Sequence, residues 1–209
     1  MTRAAAILIP GERGPSSESF PLFDDLAARI QRTGASVLSL EQCADDLDER
    51  LICLLSALSA LRRQGVERMA LIGWHTGASL AIAAGSASDA VTGVAALAAD
   101  PSGADLIAEV APRRLLLMHG GADAVIPAAV SRLLYARAAD PKELVIFPGE
   151  RHDFSVYHEE TLDKLTTWTR SLLRSPFKPR AARRDADALD VAAHANDSNP
   201  DRSQPALTR

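Results

Sequence analysis

Three short segments of the sequence hold the side chains best suited to chemistry. The first contains His75 between two glycines, the second ends at Asp123, and the third contains His152. Imidazoles and carboxylates are the groups most often used for general acid–base catalysis, and they also bind metal ions. If the fold brings the three segments together, the sequence therefore predicts either proton-transfer chemistry or a metal site.

Each of these segments directly follows a stretch that predicts a buried β-strand. The stretches are continuous apolar runs, and segments with helical apolar spacing separate them. Alternation of this kind predicts a mostly parallel sheet with helices on both faces, and ligands bind such sheets beyond the carboxyl ends of the strands. The six predicted strands are Ala4–Ile9, Ser36–Leu40, Met69–Ile72, Val91–Ala98, Arg114–Met118 and Glu143–Phe147.

The order of the three segments resembles the α/β-hydrolase superfamily, in a small form similar to dienelactone-hydrolase-like proteins. The resemblance covers Ala4 to Arg174. It implies a compact α/β-hydrolase fold with about six mostly parallel strands, helices on both faces and no lid domain. By this resemblance Gly73 and Gly77 are the glycines of a nucleophile elbow, Asp123 is the acid and His152 is the general base.

The sequence departs from the family at the nucleophile position, which holds His75 where a hydrolase has Ser or Cys. Three interpretations follow, in order of preference. The elbow has lost its chemistry and the protein only binds, or His75 acts as a base or weak nucleophile, or His75 joins His152 and Asp123 in a metal site. We expect no cofactor and no metal, because a metal would take the acid away from His152.

The resemblance also assigns supporting residues around the elbow. It implies that an oxyanion is held by the backbone N–H of Thr76 and by a second N–H at Gly11 or the residue after it. Pro10, which precedes Gly11, has no N–H to donate. Trp74 and Phe154 are expected to line a pocket.

These residues predict a protein related to hydrolases of carboxylic esters, thioesters or lactones, with a degenerate elbow. The alternative is a non-catalytic pseudo-hydrolase that binds a small molecule. Either function predicts a small-molecule substrate or ligand as the partner, and the sequence leaves the oligomeric state open.

Composition excludes several other classes of protein. The 209 residues carry a net charge of −4, which argues against a nucleic-acid-binding surface. No apolar run approaches the roughly 18 residues that span a bilayer. Two cysteines, Cys43 and Cys53, cannot build a disulfide framework. With no secretory cleavage pattern at its start, the chain is expected to be cytoplasmic, and its preference for Arg over Lys predicts a bacterial source.

The sequence predicts one folded domain followed by a tail. Residues 1–174 carry the alternating strands and helices, so they are expected to form the α/β-hydrolase domain. Residues 175–209 contain few sizeable apolar side chains and many charged residues and prolines. Such a segment buries too little apolar surface to offset its ordering entropy, which predicts a disordered tail.

Overall fold

The computed structural model of the chain describes residues 3–11, 21–40 and 46–174. Within these ranges it contains a parallel six-stranded sheet with the strand order β2-β1-β3-β4-β5-β6. The strands are β1 (Arg3–Ile9), β2 (Ser36–Ser39), β3 (Val66–Trp74), β4 (Val91–Leu97), β5 (Arg114–Gly120) and β6 (Lys142–Phe147). The helices are α1 (Pro21–Gln31), α2 (Leu47–Arg63), α3 (Thr76–Ala87), α4 (Ala129–Arg137) and α5 (His158–Arg174). Two short 3₁₀ turns, Pro101–Gly103 and Ile107–Val110, follow β4.

Helices cover the sheet on both faces. Apolar side chains of α2, α3 and α4 pack with Ile7 and Leu71 on one face. Those of α1 and α5 pack with Leu8 and Ile72 on the other. Neighbouring residues of one strand therefore enter opposite halves of the core, which explains why the strands are continuous apolar runs rather than alternating ones.

Local signals set where the helices begin and which side they bury. Asp46 caps α2, because its Oδ1 accepts the backbone N–H groups of Asp48 at 2.9 Å and Glu49 at 3.2 Å. In α5, Leu162, Leu165 and other apolar residues recur at helical spacing and are buried. The cap thus fixes the start of α2, and the apolar stripe holds α5 against the sheet.

All six predicted strands are present, and the main difference lies in the length of β3. The apolar run predicted a strand over Met69–Ile72, whereas β3 extends from Val66 to Trp74. The extension follows from pairing, since Trp74 lies opposite Leu97 of β4. It carries the strand up to the residue before His75.

Some of the sequence predictions lie outside the described residues. The tail over residues 175–209 is one of them, and Cys43 is another. The boundary between domain and tail therefore stays a prediction. In the described ranges, no helix has the length and apolarity required to cross a bilayer.

Candidate active site

His75 occupies a sharp turn between β3 and α3. Its backbone has φ 56° and ψ −124°, a left-handed conformation that side-chain-bearing residues rarely adopt. Its N–H donates to the carbonyl of Leu97 at 3.0 Å, and its carbonyl accepts the N–H of Ala78 at 3.0 Å. The surrounding backbone thus holds a strained residue at the carboxyl edge of the sheet, a pattern that clusters at functional sites.

The glycines on either side of His75 allow strand and helix to pass closely. A Cβ added at Gly73 would lie 2.2 Å from the carbonyl oxygen of Gly77. A Cβ added at Gly77 would lie 2.1 Å from the carbonyl oxygen of Ile9. Because these neighbours are backbone atoms, neither position has room for a side chain, and the turn requires glycine at both.

Asp123 and His152 form a hydrogen-bonded pair at the ends of β5 and β6. His152 Nδ1 lies 2.8 Å from Asp123 Oδ2. The other carboxylate oxygen accepts the backbone N–H groups of Val125 at 2.8 Å and Ile126 at 2.9 Å. The Asp123 side chain is fully buried, whereas that of His152 keeps 14% of its surface exposed. An accessible imidazole is therefore aligned by a buried acid.

The environment of Asp123 favours its ionised form. Burial raises the pKa of this carboxyl group, but the hydrogen bonds from His152, Ile126 and Val125 act in the opposite direction and outweigh it. The pKa of Asp123 is consequently lower than the ordinary value for aspartate. Asp123 is therefore a carboxylate at neutral pH, and it accepts a hydrogen bond from the Nδ1–H of His152.

The His75 ring lies directly against the ring of His152. Their centroids are 5.1 Å apart and the planes meet at 86°, an edge-to-face arrangement. Trp74 lies beside both rings, with centroids 5.1 Å from His152 and 6.0 Å from His75. Its indole N–H donates to the His152 carbonyl at 3.0 Å. Trp74, predicted as a pocket residue, therefore also joins the β3 turn to the His152 loop.

The first two residues after β1, Pro10 and Gly11, lie beside His75. A Cβ added at Gly11 would lie 2.9 Å from the Cβ of His75, so this glycine packs directly against the elbow side chain. Buried Arg50 donates from Nη2 to the Pro10 carbonyl at 2.7 Å and thereby anchors the loop to α2. Thr76, at the start of α3, lies next to His75 in the chain and is buried. The oxyanion roles of the Thr76 and Gly11 amides stay predictions.

Phe154 does not lie where the pocket prediction put it. Its side chain is fully buried in the core between the sheet and helices α1 and α5, although its φ is 54°. An aromatic side chain two residues after His152 is drawn into the core because burial removes its apolar surface from water. Phe154 therefore anchors the loop that carries His152 to the core and does not line an open pocket.

Two buried residues that were not among the predicted site residues lie against this site. Glu150 is fully buried, and its carboxylate accepts the backbone N–H groups of Arg151, Val156 and Tyr157. His119, the penultimate residue of β5, is also fully buried, and its Nε2 lies 3.1 Å from Asp123 Oδ2. A lone Glu or His in a sequence carries no spacing signal that would distinguish either of them.

Another hydroxyl near His75, that of Ser79, is engaged in a hydrogen bond within the chain. The hydroxyl of Ser79, one turn into α3, donates to Asp100 Oδ1 at 2.7 Å and braces the first 3₁₀ turn. In the part of the chain that the structure describes, no group of three or more His, Cys, Asp or Glu side chains is arranged to hold a metal ion.

Sequence comparison finds relatives that match part of the chain. No family model matches the chain. It is 48% identical over 69 residues to the uncharacterized protein YfhR of Escherichia coli (strain K12), a match that covers 30% of this chain and 24% of that protein. The chain thus spans about a quarter of the length of the curated relative it matches.

Comparison with solved structures decides the fold. Est1E from Butyrivibrio proteoclasticus superposes with a TM-score of 0.73 at 14% identity, over 83% of this chain and 90% of that one. A dienelactone hydrolase from Anabaena variabilis superposes with a TM-score of 0.69 at 18% identity, over 83% and 88% of the two chains. The chain has the α/β-hydrolase fold.

Proposed function

We propose that this α/β-hydrolase-fold chain hydrolyses carboxylic esters, thioesters or lactones, with His75 in place of the usual nucleophile. The observation that carries the proposal is the 2.8 Å bond between Asp123 and His152, with the His152 ring packed against His75. The two imidazoles and the carboxylate are thus kept together on three separate loops of one sheet edge. The dienelactone hydrolase neighbour supports the substrate class, because its name describes an enzyme that opens an ester bond.

The tautomer of His152 follows from its partner. Asp123 is ionised and can only accept, so Nδ1 of neutral His152 carries the proton and Nε2 is an unprotonated base. In the proposed reaction His152 removes a proton from a water molecule or from His75. The activated group attacks the acyl carbon, and the leaving alcohol or thiol takes the proton back from His152.

Attack by His75 itself divides the reaction into two steps. A ring nitrogen of His75 forms a bond to the acyl carbon, the bond to the leaving group breaks, and an acyl-imidazole results. Water activated by His152 then breaks the new bond between carbon and nitrogen, which releases the acid and restores His75. Direct attack by water gives the same products without the intermediate. Neither route forms the serine ester of ordinary esterases.

A second candidate function rests on the identity of residue 75. Histidine has no hydroxyl or thiol, so the stable acyl-enzyme of the family cannot form at the elbow. A chain that keeps the Asp123–His152 pair without that nucleophile could retain a ligand pocket and bind a small molecule without turnover. The two functions differ in whether the wild-type protein hydrolyses an activated ester.

The deciding experiment is p-nitrophenyl acetate hydrolysis by purified wild-type, His152→Ala and His75→Ser proteins. Surface histidines cleave this ester slowly, so His158→Ala provides a control. His158 is a partly exposed residue of α5 whose Nε2 lies 2.8 Å from Oδ2 of Asp25 in α1. The proposal predicts wild-type turnover above free imidazole that His152→Ala lowers by about 10²-fold and His158→Ala leaves unchanged. Wild-type turnover at the level of free imidazole, with activity appearing in His75→Ser, would contradict the proposed hydrolysis and favour the binding function.

A further inference from the structure

Arg50 occupies a position that is costly for a charged side chain. It lies near the start of α2, where the positive end of the helix dipole disfavours a cation. Its surface is only 2% exposed, and in the described ranges no carboxylate pairs with the guanidinium. Residues that break local rules in this way are expected at functional sites. The mechanism proposed above makes no use of Arg50, so its placement requires an explanation of its own.

The guanidinium holds the backbone that follows β1. Its Nη2 donates to the Pro10 carbonyl at 2.7 Å, and Nη1 is buried with no partner among the described residues. A charged donor forms a stronger hydrogen bond than a neutral one, so this carbonyl is held firmly. The backbone N–H of Arg50 donates to the carbonyl of the cap residue Asp46 at 3.0 Å. The side chain is therefore held at a fixed point of the helix.

The Pro10 carbonyl belongs to the same peptide unit as the N–H of Gly11. This peptide is trans, and in a planar trans peptide the C=O and the N–H point in opposite directions. Fixing the carbonyl toward Arg50 therefore directs the Gly11 N–H away from Arg50. Gly11 is buried, yet no backbone carbonyl of the described residues accepts its N–H. Buried N–H groups are nearly always paired, so this one is suited to receive a bound acceptor.

We infer that Arg50 is a positioning residue that orients the Gly11 N–H as an oxyanion donor beside His75. Gly11 packs against that residue, since an added Cβ would lie 2.9 Å from Cβ and 3.3 Å from Nδ1 of His75. The inference rests on the proposed function, in which negative charge develops on the acyl oxygen next to His75. Arg50 acts through the peptide and does not itself contact the acyl group.

Arg50 affects this donor in two ways. It prevents rotation of the peptide, so the N–H is already oriented when negative charge appears and no reorganisation is needed. It also polarises the peptide, because a cation bonded to the carbonyl strengthens the N–H on the same peptide as a donor. Both effects act most strongly when the oxyanion forms, so they should raise kcat and leave KM nearly unchanged.

The orientation of the Gly11 N–H can be measured by NMR in the full chain without substrate. Its residual dipolar coupling reports the direction of the N–H bond, and its order parameter reports mobility. Arg50→Met removes the donors and keeps an apolar stem, so the coupling should change and the order parameter should fall from about 0.85 to below about 0.6. Arg50→Lys retains a cationic donor and should restore most of both values. Arg62→Leu, at an exposed arginine of α2, is the matched control and should change neither.

The catalytic role is tested with p-nitrophenyl acetate. Loss of an oxyanion donor costs about 10²–10³-fold in kcat, and misorientation of one should cost about tenfold. Arg50→Met should therefore lower kcat about tenfold and leave KM within about twofold of the wild-type value. Arg50→Lys should recover most of the loss. A contact that served stability alone would lower the free energy of unfolding without changing kcat of the folded protein.

The two measurements separate the inference from the proposed function. A folded Arg50→Met protein with the wild-type Gly11 coupling and order parameter would overturn the inference. So would a wild-type Gly11 order parameter below about 0.6, a result that requires no variant to fold. In an active protein, a changed coupling with unchanged kcat would overturn the oxyanion role. Absence of wild-type hydrolysis would contradict the proposed function alone, because the N–H orientation is measured without turnover.

Discussion

His75 and His152 pack edge to face, with ring centroids 5.1 Å apart, although they are 77 positions apart in the sequence. His75 is placed by the strained turn after β3, and His152 by the loop after β6. Their contact places the His75 side chain beside the ring of His152, which is bonded to Asp123 and remains partly exposed. A serine at the same position would face the same imidazole, so under the proposed function residue 75 is the point at which this site differs from a serine hydrolase.

Covalent labelling should reveal that difference. A fluorophosphonate reacts with an activated serine hydroxyl, so the wild-type elbow should not be labelled. His75→Ser should be labelled at position 75 in a manner that depends on His152, because His152 is then the base that activates the hydroxyl. Mass spectrometry of tryptic peptides identifies the site. Labelling of the wild-type protein at Ser79 would show that the nucleophile has been assigned to the wrong residue.

The elbow glycine Gly77 should tolerate alanine far less well than another glycine of α3. At Gly77 an added Cβ meets the Ile9 carbonyl oxygen at 2.1 Å, and backbone cannot move aside without disturbing β1. At Gly85 the nearest atom is a methyl group of Val94 at 2.4 Å, which can shift with its side chain. We expect Gly77→Ala to lower the free energy of unfolding by about 3 kcal/mol and Gly85→Ala by about 1 kcal/mol. Urea unfolding measures both, and equal losses would contradict the close approach at the elbow.

Glu150→Gln should destabilise the loop that carries His152. The Glu150 carboxylate accepts the N–H groups of Arg151 at 2.7 Å, Val156 at 3.1 Å and Tyr157 at 2.5 Å. A glutamine amide replaces one accepting oxygen by a donor that faces a backbone N–H, so about 1–3 kcal/mol of unfolding free energy should be lost. Glu160→Gln, an exposed position on α5, is the matched control. Similar stabilities of the two variants would contradict this role.

Acid stability should depend on Asp123. The pKa of this group is lower in the folded chain than its ordinary value, so its contribution to stability is present above the unfolded pKa of about 4. That contribution is lost as the pH falls through the lower folded pKa. We expect the free energy of unfolding to decline more steeply below about pH 4 in the wild type than in Asp123→Asn. Parallel curves from urea unfolding between pH 2 and about pH 6 would show that Asp123 is not stabilised by folding.

Sequence patterns predicted the sheet well because its strands are buried on both faces. Continuous runs such as Ala4–Ile9 are apolar for that reason, and the polar segments after β3, β5 and β6 stand out against them. The side-chain environments were harder to predict. Phe154 was expected at a pocket and lies in the core, and the buried Glu150 carried no recognisable signal.

The sequence by itself determined the α/β alternation, the glycines around His75 and the placement of Asp123 and His152 after successive strands. These follow from local periodicity and from the rule that parallel strands end at one edge. Only the tertiary structure decided which atoms meet. The bond between Asp123 and His152, and the contact of the His75 and His152 rings, depend on loop paths. Loop paths are set by long-range packing and buried hydrogen bonds, which leave no periodic pattern in the chain.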